Sequence, residues 1–392
     1  MPWRQVTPME ERVRFVIMVE DEVENFANAC RHFGISRKTG YKWWHRYRRE
    51  GLLGLKERSR RPLQSPKGTS LSWKKRILLL RKKHKHWGPK KLRARLKVRT
   101  RRGNVPASST IGRILAAAGL VRRGRKRRGA GPIVTAPVLA AALSANDVWA
   151  VDFKGWFCLG NGERCEPLTV SDLCSRYILC CAAGSNVSYE QARAVFERLF
   201  RINGQPARMR VDNGPPFGSR GAAGLGRLAV WWISLGIEPE FIEPGHPQQN
   251  GSHERMHRTL KAEAIKPIAY DRKTQQKRLD QWRREFNYVR PHEALGQETP
   301  ATLYCKSSRI YHGPRRPNYP KGYILRRVRT NGEIRWKGEK RFIGEAFVGE
   351  TLGILERSAG VHRVYFYEHV LGEIHDVEWG MRPSLFVHRK QK

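Results

Sequence analysis

Between residues 58 and 146 the chain contains no aspartate and no glutamate, while the same interval holds 26 lysines and arginines. Over the whole chain 76 basic residues stand against 35 acidic ones, a formal net charge of +41 on 392 residues. An ordinary solvated surface mixes both signs, and self-repulsion of this size works against a compact fold. The shortage of acid therefore implies a polyanionic partner, with nucleic acid as the first candidate. Long apolar runs are lacking too. The longest, 133–145, is too short to span a bilayer, and Met1-Pro-Trp-Arg does not open a secretory signal, so the expectation is a soluble, cytoplasmic chain with no membrane partner. Seven cysteines form no Cys-x-x-Cys pair and no Cys/His array with zinc spacing, which excludes a zinc finger and a disulfide framework and leaves reduced thiols.

What is present begins with helices. Segments 8–20, 25–33 and 37–50 have helical patterning, and the last two are joined by Gly34-Ile35-Ser36. A glycine in the turn followed by serine as N-cap of a basic, aromatic helix is a helix-turn-helix pattern. In that geometry Arg37, Lys38, Thr39, Tyr41 and Lys42 face the major groove of double-stranded DNA. A three-helix bundle with a solvated cationic face is the alternative. Trp43, Trp44 and Tyr47 can supply a core while the charges point away, which favours DNA. Helical segments 73–86 and 89–96 follow, and Ser108-Ser109-Thr110 is expected to cap a helix over 111–118. This is a second helix-turn-helix candidate, its reading helix starting near Ser109 and containing Arg113. The run 122–129, with Arg122, Arg123 and Arg125, has no apolar residue and reads as an arm along phosphates.

Three carboxylates stand out downstream. Asp152 lies in an aromatic, β-branched run, 148–158, that reads as a strand, where a carboxylate is out of place unless something binds it. Asp212 ends Arg208-Met-Arg-Val-Asp and precedes Asn213-Gly214, where a short strand breaks into a loop. Glu254 follows Pro-Gln-Gln-Asn-Gly turn chemistry and should sit early on a helix, with Arg258 and Lys261 on its face at i+4 and i+7. Two strand carboxylates and one helix carboxylate make a cage for Mg²⁺, a hard cation that takes oxygen ligands. Taken singly, a strand aspartate is more often structural, as expected for Asp172, Glu238, Glu240 and Glu243. His246, His253 and His257 read as phosphate or supporting groups, or as bystanders.

The set Val-Asp152-Phe, Val-Asp212-Asn-Gly-Pro-Pro-Phe and Gly245-His-Pro-Gln-Gln-Asn-Gly-Ser-His-Glu254-Arg-Met-His-Arg-Thr-Leu-Lys261 resembles the DDE catalytic core of retroviral-integrase-like transposases from bacterial insertion sequences. Tyr288-Val-Arg-Pro-His-Glu-Ala-Leu-Gly296 is similar to the end of that core, so the resemblance covers residues 147–304. Trp87-Gly88-Pro89-Lys90-Lys91-Leu92 is similar to part of the second helix-turn-helix of the same transposases, which adds Lys90 and Lys91 as DNA contacts. Forty-one residues separate Asp212 from Glu254, more than in retroviral integrases, and the excess falls in the glycine-rich stretch 218–226.

The resemblance implies a multidomain chain. All-α helix-turn-helix modules at 1–57 and 58–121 precede a basic linker at 122–146, a central α/β RNase H-like catalytic domain at 147–305, a Pro-rich linker at 306–321 and a C-terminal small β-barrel, SH3-like, at 322–392. Its first strand should lie centrally beside the strand that ends at Asp212. The implied activity is that of a DNA transposase that binds the terminal inverted repeats of an insertion sequence and carries out metal-dependent cleavage and strand transfer. Asp152, Asp212 and Glu254 are then catalytic and metal-holding, with Mg²⁺ as cofactor and Mn²⁺ able to substitute. Joining two ends to one target implies a homodimer or larger assembly. The rivals are a nuclease of the same fold that cuts without joining and a transposase-derived DNA-binding regulator.

Overall fold

The computed structural model describes residues 7–59, 68–100, 104–121, 139–219, 221–243, 246–376 and 381–383. It divides into two compact units, 1–70 and 71–392. The basic arm at 122–129 lies outside the described residues, and so does most of the expected basic linker at 122–146.

The first unit is three helices, α1 (Pro8–Glu20), α2 (Phe26–His32) and α3 (Arg37–Glu50), closed by a short 3₁₀ turn at Gly51–Leu55. Local chemistry fixes each start. Thr7 Oγ1 accepts from the Glu10 N–H at 3.2 Å and Glu10 Oε2 accepts from the Thr7 N–H at 2.7 Å, a reciprocal cap. Asn25 caps α2 and Ser36 caps α3. Phe15, Val16, Ala29, Cys30, Trp43 and Leu55 form the core. α2 and α3 approach so closely that a Cβ at Gly40 would meet Cys30 Sγ at 2.5 Å.

The second unit opens with α4 (Leu71–Lys83), α5 (Pro89–Arg99) and α6 (Ser108–Ala117), packed around Ile77, Leu80, Trp87, Leu92, Ile111 and Leu115. α6 begins earlier than its sequence suggests. Ala107 is its N-cap, with no side-chain cap bond, so the expected capping serines and threonine lie inside the first turn.

Next comes a mixed sheet of β1 (Val148–Phe153), β2 (Phe157–Cys158), β3 (Arg164–Asp172), β4 (Ile178–Gly184), β5 (Arg208–Val211) and β6 (Glu238–Phe241). Its order is β2-β3-β1-β5-β6, with β4 on β3. β1 is central, antiparallel to β3 and parallel to β5. The expected continuous strand 148–158 instead breaks after Phe153, because Gly155 takes φ +80° and turns the chain out before it re-enters as β2. One sheet face, with Trp149 and Val151, is covered by α7 (Tyr189–Asn203) and α8 (Arg227–Ser234) through Phe196, Phe200 and Trp232. On the other side Ile178 and Cys181 of β4 pack on α9 (Gly251–Leu260) and α10 (Arg272–Tyr288) through Met256, Leu260, Leu279 and Trp282. A π-turn at Lys261–Ile265 follows α9, and a short α11 (Pro300–Leu303) ends the region.

The C-terminal region holds β7 (Ile324–Arg327), β8 (Glu333–Trp336), β9 (Glu339–Phe342), β10 (Thr351–Ser358), β11 (Val361–Phe366), β12 (His369–His375) and β13 (Met381–Pro383). These form a five-stranded antiparallel sheet, β13-β12-β11-β10-β7, and a separate β8-β9 hairpin. The expected small barrel is not closed among the described residues, since β8 and β9 pair only with each other and β7 and β13 remain edges. Phe347, Ile354 and Phe366 share one apolar cluster with Phe217, Leu225 and Leu228 of the preceding domain.

The stretch 306–321, expected as a linker, is fastened along its length. Ser307 N–H donates to Asn203 O at 2.8 Å, Arg309 Nη2 to Gly236 O at 2.6 Å, Arg315 N–H to Ser234 O at 2.8 Å and Tyr319 OH to Thr351 O at 3.0 Å. Glycine makes room for it. A Cβ at Gly204 would meet Ser307 O at 2.5 Å, and one at Gly353 would meet the Tyr319 ring at 2.5 Å.

Candidate active site

Strand parity sets which side chains meet. Along β1 the residues Val148, Ala150 and Asp152 point to one face, and the register pairs Ala150 with Ser171 and Asp152 with Thr169, so Thr169 and Ser171 share that face. α9 lies over it and buries His253, Met256, His257 and Leu260. His253 and His257 are one turn apart, at i and i+4, so both reach the same spot on the sheet.

They meet on a hydroxyl. Fully buried Thr169 Oγ1 lies 2.8 Å from His253 Nε2 and 2.7 Å from His257 Nε2, and donates to the Asp152 carbonyl oxygen at 3.0 Å. Ser171 Oγ lies 2.8 Å from His253 Nδ1, and His257 Nδ1 lies 3.5 Å from Asp152 Oδ2. Ligand atoms of Asp152, His253 and His257 all fall within 4.8 Å of one another. Burial holds both imidazoles neutral, with His253 pushed down to about 3 and His257 to about 2, the latter also by its neighbours His253 and Lys154. Sequence reasoning missed this network as the anchor of α9; the readable signal was His-x-x-x-His on a helix opposite Thr-x-Ser on a strand.

Asp152 is half-buried at the end of β1. Burial foremost, then the charge of Asp212 and, more weakly, that of Glu254, push its carboxyl up to about 7 against the pull of Lys154 and the Phe153 N–H. The charges of Asp212 and Glu254 thus both reach Asp152, but among the described residues it is His253 and His257, not those two carboxylates, whose ligand atoms come within 4.8 Å of it. Asp212, exposed, is the first residue after β5, which runs parallel beside β1, and its Oδ1 accepts from the Gly214 N–H at 3.3 Å. The loop beyond it is pinned by buried Phe217, whose ring packs on Phe153 and Trp232 at 5.8 Å. There the chain folds back so tightly that a Cβ at Gly218 would meet Asn213 O at 2.4 Å. Glu254 is exposed in the first turn of α9. Arg258 and Lys261 are exposed as well, and among the described residues Glu254 and Arg258 form no ion pair.

The other carboxylates are occupied. Asp172 accepts from Asn146 N–H, Ser175 N–H and Ser175 Oγ, Glu240 binds Arg210 and the Ala140 N–H, and Glu238 binds Arg208. Glu243 lies 3.6 Å from His246.

The expected DNA contacts separate into three groups. Arg37, Lys38 and Lys42 are exposed at the start of α3, with Lys42 over the Trp43 ring; Thr39 bonds Ser36, and Tyr41 stacks on Phe26 at 4.1 Å. Ser109 and Arg113 are exposed on α6. Lys90 and Lys91 turn instead toward the sheet domain. Lys90 pairs with Glu293, and burial foremost, then Arg290, pushes Lys91 down to about 8 against the pull of Glu263 and Glu293. The same interface joins His84 Nδ1 to Glu285 Oε1 at 2.7 Å and seats Val289 against the α4–α6 core. Arg122, Arg123 and Arg125 lie outside the described residues.

Two models described as integrase core domain match residues 142–247 and 235–300, which together contain Asp152, Asp212 and Glu254. Together the two matches run from 142 to 300. Around that stretch, a helix-turn-helix domain matches 11–62, a homeodomain-like domain matches 39–115, and the C-terminal domain of IS481 family transposases matches 324–378. An insertion element IS476 protein of Xanthomonas euvesicatoria is 32% identical over 179 residues, 45% of this chain and 50% of that one. An insertion element IS407 protein of Burkholderia multivorans is 29% identical over 237 residues, 59% of this chain and 80% of that one. The chain thus spans about half the length of the first of these relatives and four-fifths of the second. The catalytic core domain of HTLV-2 integrase, in complex with magnesium, aligns with 41% of this chain and 98% of its own at 14% identity and a TM-score of 0.33.

Proposed function

We propose that the chain is a DNA transposase that binds the terminal inverted repeats of an insertion sequence, cleaves at the element ends and joins the freed 3′ ends to target DNA. Asp152, Asp212 and Glu254 are its catalytic, metal-holding carboxylates, for Mg²⁺ or Mn²⁺. One observation carries this reading: Asp152 near the end of central β1, Asp212 just after parallel β5 and Glu254 in the first turn of α9 all fall within the stretch that matches the integrase core domain. Oxygen donors of this kind fit a hard cation. When bound, such ions stabilise the attacking and leaving oxygens of a phosphodiester.

The protein's own part is placement. β1 and Thr169 fix Asp152, the Phe217-pinned loop presents Asp212, and the histidine-anchored α9 presents Glu254. Arg258 and Lys261 hold the strand being attacked, while Arg37, Lys38, Lys42, Ser109 and Arg113 engage the element end. The C-terminal sheet and hairpin contact DNA or a second subunit. Two ends and one target call for at least a dimer.

The test is an assay with labelled element ends and supercoiled target. Asp152→Asn, Asp212→Asn and Glu254→Gln are each expected to abolish joining while binding to the terminal repeat is nearly intact, because affinity comes mostly from phosphate contacts elsewhere. Cleavage without joining by the wild type would favour a nuclease; binding alone would favour a regulator; a variant that still joins ends removes that residue from the set.

A further inference from the structure

Hydrogen positions in the network beneath α9 follow from its acceptors. The Asp152 carbonyl oxygen can only accept, so the single proton of the Thr169 hydroxyl goes to it at 3.0 Å. Thr169 Oγ1 then accepts from both imidazoles, which fixes His253 and His257 with their protons on Nε2. His253 Nδ1 is left to accept from Ser171 Oγ at 2.8 Å, so both of its nitrogens are used. His257 Nδ1 is left with a bare lone pair. It points at Asp152 Oδ2 from 3.5 Å, too far for a charge-assisted hydrogen bond, and takes no hydrogen bond among the described residues. The side chain that carries it is only 9% exposed.

Two lone pairs facing each other in a confined site are repulsive unless a proton or a metal cation lies between them, and 3.5 Å is too long for a shared proton. Two donors each ~2.0–2.2 Å from one ion, at roughly 90–110° to each other, are about 3.0–3.5 Å apart. The observed separation meets that requirement without moving either side chain.

We propose that His257, through Nδ1, is a further ligand of the ion held at Asp152, and that His253 is not. The inference rests on reading Asp152 as a metal ligand. An imidazole nitrogen makes this position softer than an all-carboxylate one, so it discriminates in favour of Mn²⁺ or Zn²⁺ over Mg²⁺. Thr169 acts at one remove, by holding His257 in the tautomer that exposes Nδ1.

Electron spin-echo spectroscopy of Mn²⁺ added to the full-length protein, with natural and ¹⁵N-labelled histidine, reads the ligand directly. A histidine-nitrogen coupling is expected in the wild type and in His253→Gln, and is expected to vanish in His257→Gln together with a roughly 10- to 100-fold loss of Mn²⁺ affinity. Mn²⁺ binding that Asp152→Asn removes but that shows no histidine coupling in the wild type overturns the role of His257 and leaves the carboxylate site standing. Persistence of the coupling in His257→Gln does the same. Absence of any Mn²⁺ binding sensitive to Asp152→Asn overturns both readings. A wild-type spectrum without histidine coupling overturns the role of His257 even where a variant fails to fold, and His257→Asn, read in the same way, is the second variant where His257→Gln does.

Discussion

Thr169→Val isolates the hydroxyl on which the site is assembled. The substitution keeps side-chain volume, so no cavity opens, but it removes the oxygen that takes an N–H from His253 and another from His257. Each buried donor left without a partner costs ~1–3 kcal/mol, and Thr169 is fully buried, so water does not substitute. Two orphaned donors cost ~2–6 kcal/mol; a tautomer change at His253, which can turn its proton toward Ser171, keeps the net near ~2–5. The loss falls on the contact between β3 and α9, so it should be felt as local opening of α9 before global unfolding. At a factor of ten per ~1.4 kcal/mol, hydrogen exchange of α9 amides should accelerate roughly 30- to 3,000-fold. Thr169→Ser keeps the hydroxyl and loses one methyl, worth ~0.8 kcal/mol, and should accelerate exchange less than about tenfold. Equal exchange in the valine and serine variants would refute the claim that this hydroxyl anchors the helix.

Other outcomes follow from the same side chains. Because Asp152 is held near 7 in the folded chain rather than at 3.8, it carries a proton below neutrality, and divalent ions are expected to release close to one proton per protein at pH 6 and far less at pH 8; titration calorimetry in buffers of different ionisation heat measures this. His253, His257 and His292, held at about 3, about 2 and about 3, cannot take the proton that each accepts near 6.5 when unfolded, so they favour the fold above pH 6.5 and lose that contribution as pH falls. Asp152 works in the opposite sense, stabilising the metal-free fold below pH 7 and losing that as pH rises through it. Three groups at ~1.4 kcal/mol each at pH 5.5 outweigh one, so the denaturation midpoint of the metal-free protein should drop between pH 7.5 and pH 5.5. Arg258→Ala and Lys261→Ala should weaken joining and cross-linking to the cleaved end without changing metal affinity; full activity in both would remove this face from the substrate contact.

Much of the fold is readable because it is set by local chemistry. Ser36 announces the start of α3, which is found where that cap predicts it, and the segments read as helical at 8–20 and 37–50 are helices with those bounds. The 148–158 strand is misjudged for a local reason as well: its aromatic content is continuous, but Gly155 permits a left-handed turn that the pattern does not weigh. Lys90 and Lys91 have partners on the sheet domain that the sequence does not show, for a non-local reason. A cation in a basic segment reads as a phosphate contact, and nothing near residue 90 reveals that Glu263, Arg290 and Glu293 lie opposite. The strap at 306–321 is opaque in the same way, since proline and glycine describe a chain without regular structure and say nothing of whether it is fastened.

The site shows where the limit lies. Asp152 and Asp172 are both aspartates on paired central strands, at the end of β1 and the end of β3, and no local pattern separates them. Packing does. Asp172 points away from the face that carries Asp152 and is surrounded by donors, from Asn146, the Ser175 N–H and the Ser175 hydroxyl, so its charge is already satisfied. Asp152 has Lys154 and the Phe153 N–H on its side, and two other carboxylates acting against it. A buried charge with its hydrogen bonds complete is structure, whereas one held beside like charges is stable only when something else arrives. The difference lies in what the fold brings to each: the donors of Asn146 and Ser175 to one, the like charges of Asp212 and Glu254 to the other.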